Sequence, residues 1–123
     1  MSVLVDSSIW IDYFRGTWTD DRMDWLIDEG VIATNELILS ELLPRLIIQS
    51  RLAALLKEIP RLPLAVDWNG IVEDQVRCIR HGVNNVGIPD LIIAQNAKQH
   101  GAALYTRDRH FTLIAELNGL HLF

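Results

Sequence analysis

The sequence contains a single cysteine, Cys78, among its 123 residues. It offers neither an internal disulfide nor a second thiolate for a cysteine metal site, and this usage favours a reducing compartment. Uncharged apolar runs are too short to span a bilayer, and Asp6 interrupts the amino-terminal apolar stretch before it reaches the length of a signal sequence. We therefore expect a cytoplasmic protein that makes no use of a membrane.

Basic residues are also scarce, with 11 Lys and Arg against 16 Asp and Glu and a formal net charge of −5. Nucleic-acid-binding domains are usually basic, so this balance argues against such a partner unless bound cations neutralise part of the charge. The sequence has no Gly-x-Gly-x-x-Gly or Walker motif, which argues against a nucleotide-binding Rossmann or P-loop module.

What the chain does have is a globular composition, with 50% hydrophobic and 22% charged residues. Intrinsic disorder is excluded by these values. The length suits one domain over residues 1–123, and no linker, repeat or low-complexity stretch divides it.

Apolar runs alternate with stretches of helical spacing along the chain. The runs predict strands at 3–5, 31–34, 62–66 and 102–106, with a short fifth at 120–123. The helices are predicted at 7–15, from a cap at Thr19 to Gly30, at 35–58 with a break at Pro44, from a cap at Asp67 to 80, and from Pro89 to before Gly101. This alternation predicts a three-layer α/β/α sandwich with a mostly parallel four- or five-stranded sheet.

Four carboxylates stand far apart in the sequence, at Asp6, Glu41, Asp90 and Asp108, and the sequence around Glu41 and Asp90 is otherwise apolar. Asp6 and Asp108 follow predicted strands, and ligands of open parallel sheets bind outside the carboxyl ends of the strands. Grouped carboxylates raise one another's pKa values, so folds gather them mainly where a cation neutralises them. The pattern predicts a divalent-metal site.

Each acid taken alone also has a structural explanation. Asp6 can cap the helix that starts at Ser7, and Asp108 can be an ordinary turn or capping residue before the segment 110–117. Asp90 lies at a helix amino terminus, where the helix dipole favours a carboxylate, and Glu41 can occupy the solvent face of a largely buried helix. The four acids together favour a shared site.

Four stretches, at 3–14 (VLVDSSIWIDYF), 40–42 (SEL), 82–94 and 104–111 (LYTRDRHF), resemble in order and content the conserved blocks of PIN-domain ribonucleases. More narrowly, the chain is similar to the VapC toxins of toxin–antitoxin pairs over essentially its whole length. The resemblance implies that Asp6, Glu41, Asp90 and Asp108 are the catalytic, metal-binding acids. One departure is Pro44, which stands where members of the family often have a small residue.

The resemblance further implies a metal-dependent endoribonuclease. Carboxylate oxygens suit Mg²⁺ or Mn²⁺, and the number of ions, one or two, is left open. Ser7 or Ser8 and Thr106 correspond to the small hydroxyl residues of such sites. Arg107 and Arg109 either contact RNA phosphates or serve as surface charges. No histidine is given a catalytic role; His110, next to Asp108, can touch the site, but a structural or solvent role is expected for it.

Aromatic residues are concentrated near the amino terminus, at Trp10, Tyr13, Phe14, Trp18 and Trp25. This surplus indicates an interface. The resemblance implies two protein partners beside the RNA substrate: a second copy of the chain in a homodimer, and an antitoxin that lies in a groove over the active site and presents an Arg to it.

The alternative function is a non-catalytic interaction module. A receiver or dehalogenase-type phosphotransferase is disfavoured because the paired acid and the late Lys of those proteins are lacking.

Overall fold

A computed structural model describes residues 1–17, 20–46 and 49–123 of the chain. The helices and strands are, in order, β1 (Val3–Val5), α1 (Ser7–Arg15), α2 (Arg22–Glu29), β2 (Ile32–Ala33), α3 (Glu36–Leu42), a 3-10 helix (Leu43–Leu46), α4 (Ser50–Lys57), α5 (Trp68–Arg80), α6 (Ile88–Gln99), β3 (Ala103–Tyr105) and α7 (Arg109–Asn118). Within these ranges, no helix is long and apolar enough to cross a membrane.

The sheet is parallel and has the order β2-β1-β3. In register, Val3 of β1 faces Ile32 of β2 and Ala103 of β3. All three residues of β1 are fully buried, as expected for the central strand of a parallel sheet that is covered on both faces. The parallel arrangement brings the carboxyl ends of β1 and β3 to the same edge. The predicted α/β fold with a parallel sheet is therefore confirmed.

The predicted number of strands is wrong. The described residues form three strands, and segment 62–66 is not among them; the isolated bridge between Thr34 and Arg61 lies just before it. Pro63 removes a backbone donor from this segment, and Pro60 removes one shortly before it. Its carbonyl groups are bound instead by side chains of α6 and the residue after it, since Asn96 donates to the oxygens of Leu62 and Pro63, Gln99 donates to Ala65, and His100 contacts Pro63.

The predicted fifth strand at 120–123 is likewise only a bridge, between Leu104 and Leu122. Two backbone hydrogen bonds support it: the Leu104 amide donates to the His121 carbonyl, and the Phe123 amide donates to the Leu104 carbonyl. The left-handed turn at Gly119 (φ 77°), which ends α7, precedes this short pairing. The segment therefore extends the sheet by one residue rather than by a strand.

The predicted helices agree closely with the structure. Helix α1 covers 7–15 as predicted, and the side chains of Asn35 and Asp67 cap α3 and α5 by accepting from the amides of Ile38 and Gly70. The long stretch 35–58 is divided near Pro44, as predicted, because the chain passes into a 3-10 helix there. The predicted cap Thr19, the aromatic Trp18 and residues 47–48 lie outside the described residues.

Helices cover the sheet in two groups. Helix α1 packs against α3, while α5, α6 and α7 pack against one another, and α3 also touches α6. The core between them is built mainly from Val, Leu and Ile, and its largest buried side chains include Tyr105 and Phe111. Helices α3, α6 and α7 thus carry Glu41, Asp90 and the residues after Asp108 toward the strand ends.

Candidate metal centre

Asp6 follows the last residue of β1 and is almost completely buried, at 5% exposure. It occupies the residue before α1, but its side chain does not cap that helix. Instead, its Oδ2 accepts hydrogen bonds from the hydroxyl groups of Ser8 and Thr106, both at 2.9 Å. The capping explanation for the Asp6 side chain is therefore wrong, and the carboxylate is held in place by two neutral donors.

Thr106 connects Asp6 to Asp108. Its Oγ1 donates to Asp6 and accepts a 3.0 Å hydrogen bond from the Asp108 amide. Asp108 is the cap residue of α7, and its Oδ1 accepts from the amide of His110 at 2.9 Å. The structural explanation for Asp108 is thus confirmed, and the same contacts bring it to the strand edge at which Asp6 lies.

Glu41 reaches this edge from α3. Its Oε2 accepts a 3.0 Å hydrogen bond from the Ser7 hydroxyl, so the first residue of α1 orients the carboxylate. Loss of water around the carboxyl group raises the pKa of Glu41, although the residue as a whole is exposed, and the negative charge of Asp6 raises it further. The Ser7 hydrogen bond and the charge of Arg45 lower this pKa in part.

Asp90 lies in the first turn of α6, where it faces the other three acids. Burial raises its pKa most, followed by the charges of Asp108 and Asp6, with a smaller contribution from Glu41. His110 acts in the opposite direction. Because each of these charges acts on Asp90, the fold brings all four predicted acids into one electrostatic neighbourhood.

His110 is the site residue that the sequence did not reveal. Its Nδ1 lies 3.5 Å from Oδ1 of Asp108 and 3.9 Å from Oδ2 of Asp90. One ligand atom from each of these three residues lies within 4.8 Å of the others. The available signal was the position of His110, two residues after a helix-capping acid, which places its ring in the first turn beside that acid.

The two arginines beside Asp108 have different environments. Arg107 forms an ion pair with the largely buried Asp12 of α1, and its backbone amide donates to the Ser8 hydroxyl at 3.4 Å. Arg109 is exposed and borders, together with Arg107, Asp108 and His110, a shallow surface depression. Positive charge therefore flanks the acidic site on its α7 side.

A second feature is an apolar groove with a cavity volume of about 500 Å³. Helices α1, α2 and α4 border it, through residues that include Trp10, Tyr13, Phe14, Leu26, Leu52, Leu55 and Leu56. Trp10 stacks on Phe14, and their ring centroids are 5.4 Å apart. The aromatic surplus of α1 thus contributes to the core and to one wall of this groove.

The residues of the acidic site fit a divalent cation. Their carboxylate oxygens are hard ligands of the kind that Mg²⁺ and Mn²⁺ prefer, and the imidazole of His110 adds one nitrogen. Burial raises the pKa values of Glu41 and Asp90 most, the charges of neighbouring carboxylates raise them further, and a cation would relieve that repulsion. The donor set and its charge therefore match the metal that the sequence predicted.

Comparison with known proteins agrees with this geometry. The family model of the PIN domain matches residues 3–117. The chain belongs to the PIN domain family. Its PIN-domain relatives include VapC ribonuclease Mb1587 of Mycobacterium bovis and ribonuclease VapC11 of Mycobacterium tuberculosis, each 30% identical over 96% of this chain and 95% of the relative.

Solved PIN-domain structures resemble the chain in fold. VapBC2 from Rickettsia felis, bound to a DNA fragment from its promoter, matches with a TM-score of 0.78 and 19% identity over 100% of this chain and 98% of the other. VapC20 of Mycobacterium tuberculosis, a toxin that cleaves the sarcin-ricin loop, matches with a TM-score of 0.59 and 18% identity over 91% and 94%. The predicted PIN-like fold is thereby confirmed.

Proposed function

We propose that this PIN-domain protein is a metal-dependent endoribonuclease and the toxin of a toxin–antitoxin pair, held inactive by a cognate antitoxin. The observation that carries the proposal is the convergence of Asp6, Glu41, Asp90 and Asp108 at one edge of the sheet. Its relatives at 30% identity are VapC ribonucleases, which supports RNA as the substrate. The single cysteine supports the cytoplasm as the place of action.

In this proposal the four acids hold Mg²⁺ or Mn²⁺. When bound, the ion supplies a water of lowered pKa and stabilises charge on the phosphate. The chain's own hydroxyl groups orient the ligands: Ser8 and Thr106 fix Asp6, and Ser7 fixes Glu41. Hydrolysis of this kind would leave a 5′-phosphate and a 3′-hydroxyl.

Recognition of RNA is assigned to Arg107 and Arg109, the two arginines beside the acidic site. Arg109 is exposed beside Asp108, and its guanidinium is suited to a phosphate oxygen. Arg107 is held by Asp12, so it shapes the loop that carries Asp108 and adds positive charge there. These contacts place the phosphodiester near the acids, whereas the net charge of −5 would otherwise repel it.

The antitoxin is assigned to the apolar groove between α1, α2 and α4. Similar solved structures include VapBC and FitAB complexes. A helical segment with apolar anchors fits a groove lined by Trp10, Leu26 and Leu55. From there a basic residue of the antitoxin would reach the acidic site and compete with the metal for its carboxylates.

A homodimer is assigned to the exposed apolar stripe of α5. Trp68, Val72, Val76 and Ile79 are all exposed, and their spacing places them on one face of the helix. Exposed apolar stripes of this length are typical of interfaces between protein chains. The stripe and the antitoxin groove lie on different helices, so one chain can bind both partners.

Cleavage of total RNA by the purified protein tests the proposed activity. The reaction is run with Mg²⁺, with Mn²⁺ or with EDTA, beside Asp6→Asn, Asp90→Asn and the control Glu73→Gln, which alters an exposed acid on α5. Discrete fragments that need metal, survive Glu73→Gln and vanish in both Asp variants support the proposal. If wild type and Asp variants behave alike and calorimetry detects no bound Mn²⁺, the protein is a non-catalytic interaction module.

A further inference from the structure

We propose that His110 is itself a ligand of the divalent ion and that it makes the site favour first-row transition ions over Mg²⁺. The inference rests on the metal site of the proposed function and concerns a residue outside the four acids. It follows from the position of the imidazole between two carboxylates of different helices.

The distances suit ligands of one ion. With metal–ligand bonds of about 2.1 Å, two ligand atoms of an octahedral ion are about 3.0 Å apart in adjacent positions and about 4.2 Å apart in opposite ones. The His110 Nδ1 is 3.5 Å from Asp108 Oδ1 and 3.9 Å from Asp90 Oδ2, so both separations fall between these limits. A small adjustment of side-chain torsions would bring these three atoms to bonding distance of one ion.

The backbone fixes the ring in this place. The His110 amide donates to the Asp108 carboxylate, which also caps α7, so the imidazole and its partner are set by the same helix start. Phe111, the next residue, is buried in the core and anchors that turn. A ring in a capped and anchored turn loses little freedom on binding an ion.

The chemistry of the nitrogen gives the selectivity. Mg²⁺ prefers oxygen ligands, whereas imidazole nitrogen suits first-row transition ions, whose affinities rise from Mn²⁺ through Co²⁺. A site made only of carboxylates distinguishes these ions less. The replacement of one oxygen by the His110 nitrogen therefore favours Mn²⁺ and Co²⁺ over Mg²⁺.

The competing explanation is that His110 is only a positive neighbour that lowers the pKa of Asp90. The two roles predict opposite results when the ring is removed. A cationic neighbour repels a metal ion, so its removal would strengthen binding of every divalent ion alike. A ligand contributes a bond, so its removal would weaken binding of the ions that prefer nitrogen.

Calorimetric titration with Mn²⁺, Co²⁺ and Mg²⁺ separates these roles. Wild type is compared with His110→Gln and with the control His81→Gln, whose ring lies at the end of α5 within 2.8 Å of the Arg77 carbonyl. The pH is set at about 8, where an ordinary imidazole is neutral and exerts no repulsion on a cation, so removal of a ring that is not a ligand would leave all three affinities unchanged. We expect His110→Gln to weaken Mn²⁺ and Co²⁺ by about tenfold or more and Mg²⁺ by less than about threefold.

Pulsed electron paramagnetic resonance of the Mn²⁺ complex provides a readout other than affinity or activity. A coupling to ¹⁴N is expected in wild type and His81→Gln and should be absent from His110→Gln. Wild type alone decides the matter if His110→Gln does not fold, because no nitrogen coupling in wild type would overturn the proposal.

The outcomes also separate this inference from the proposed function. Equal changes for all three ions, or stronger binding in His110→Gln, would reject His110 as a ligand while leaving the metal-dependent nuclease in place. If wild type binds none of the ions, the metal-dependent function and the inference are both rejected.

Discussion

The buried amide of Asn96 connects three parts of the fold, and its removal is the perturbation that tests our account most directly. Asn96 is 1% exposed. Its Nδ2 donates to the carbonyls of Leu62 and Pro63 at 3.3 and 3.0 Å, and its Oδ1 accepts from Asn35 at 3.0 Å. Since Asn35 caps α3, Asn96→Ala should loosen α3 and the segment after α4 together.

The expected cost follows from these contacts. Three hydrogen bonds at about 1 kcal/mol each give about 3 kcal/mol of lost stability. The buried partners stay without a donor or acceptor in the variant, so no new hydrogen bond reduces this loss. The better helix propensity of Ala returns about 0.5 kcal/mol. A loss of about 2.5 kcal/mol is large for a domain whose total stability is about 5–15 kcal/mol.

Urea unfolding in EDTA, followed by circular dichroism, measures the loss. The matched control is Gln99→Ala on the same helix, whose Nε2 donates to the Ala65 carbonyl at 2.9 Å but which is exposed. We expect this control to cost less than about 1 kcal/mol, because water replaces the lost partner. If Asn96→Ala costs no more than Gln99→Ala, burial of the amide network does not stabilise the fold as argued.

Three other variants test separate parts of the structure. Asp90→Asn should stabilise the metal-free protein at neutral pH in urea unfolding, because the folded protein raises the pKa of Asp90 and disfavours its charge. The difference in unfolding free energy between wild type and variant should shrink as the pH falls through the raised pKa of Asp90 toward its unfolded value near 3.8. A difference that does not change with pH would contradict this. Asp12→Asn should cost about 1 kcal/mol by urea unfolding and reduce the effect of Arg107→Ala, since both break one ion pair; fully additive losses would reject that coupling. Ile79→Glu should give a monomer in light scattering with unchanged unfolding, and a dimer that persists would move the interface away from the α5 stripe.

Local patterns in the sequence were sufficient for most helices. The extent of α1, the cap Asp67 and the break near Pro44 depend on a few neighbouring residues, so the pattern alone predicts them. Segment 62–66 shows where this fails. Its apolar residues resemble a strand, but its carbonyls are bound by side chains of α6, and no local pattern reveals hydrogen bonds across more than thirty residues.

In the acidic site, too, the features that depend on local sequence were predicted and those that depend on packing were not. The sequence placed Asp6 and Asp108 at strand ends, and the parallel register of β1 and β3 brings those ends together. The role of His110 depends on the packing of α7 against α6, which brings Asp108 and Asp90 to either side of its ring. The spacing between Asp90 and His110 carries no information about this contact, so periodicity did not predict it.

The acidic edge weakens the fold in the absence of a cation. Burial and mutual repulsion raise the pKa values of Glu41 and Asp90, so each costs free energy when it ionises in the folded protein. The contacts at the edge reduce this cost without removing the charge: Ser7 donates to Glu41, and the amino terminus of α6 favours a negative Asp90. A fold that needed only stability would place apolar side chains there. In the proposed nuclease, a bound cation would turn the repulsion of these carboxylates into affinity.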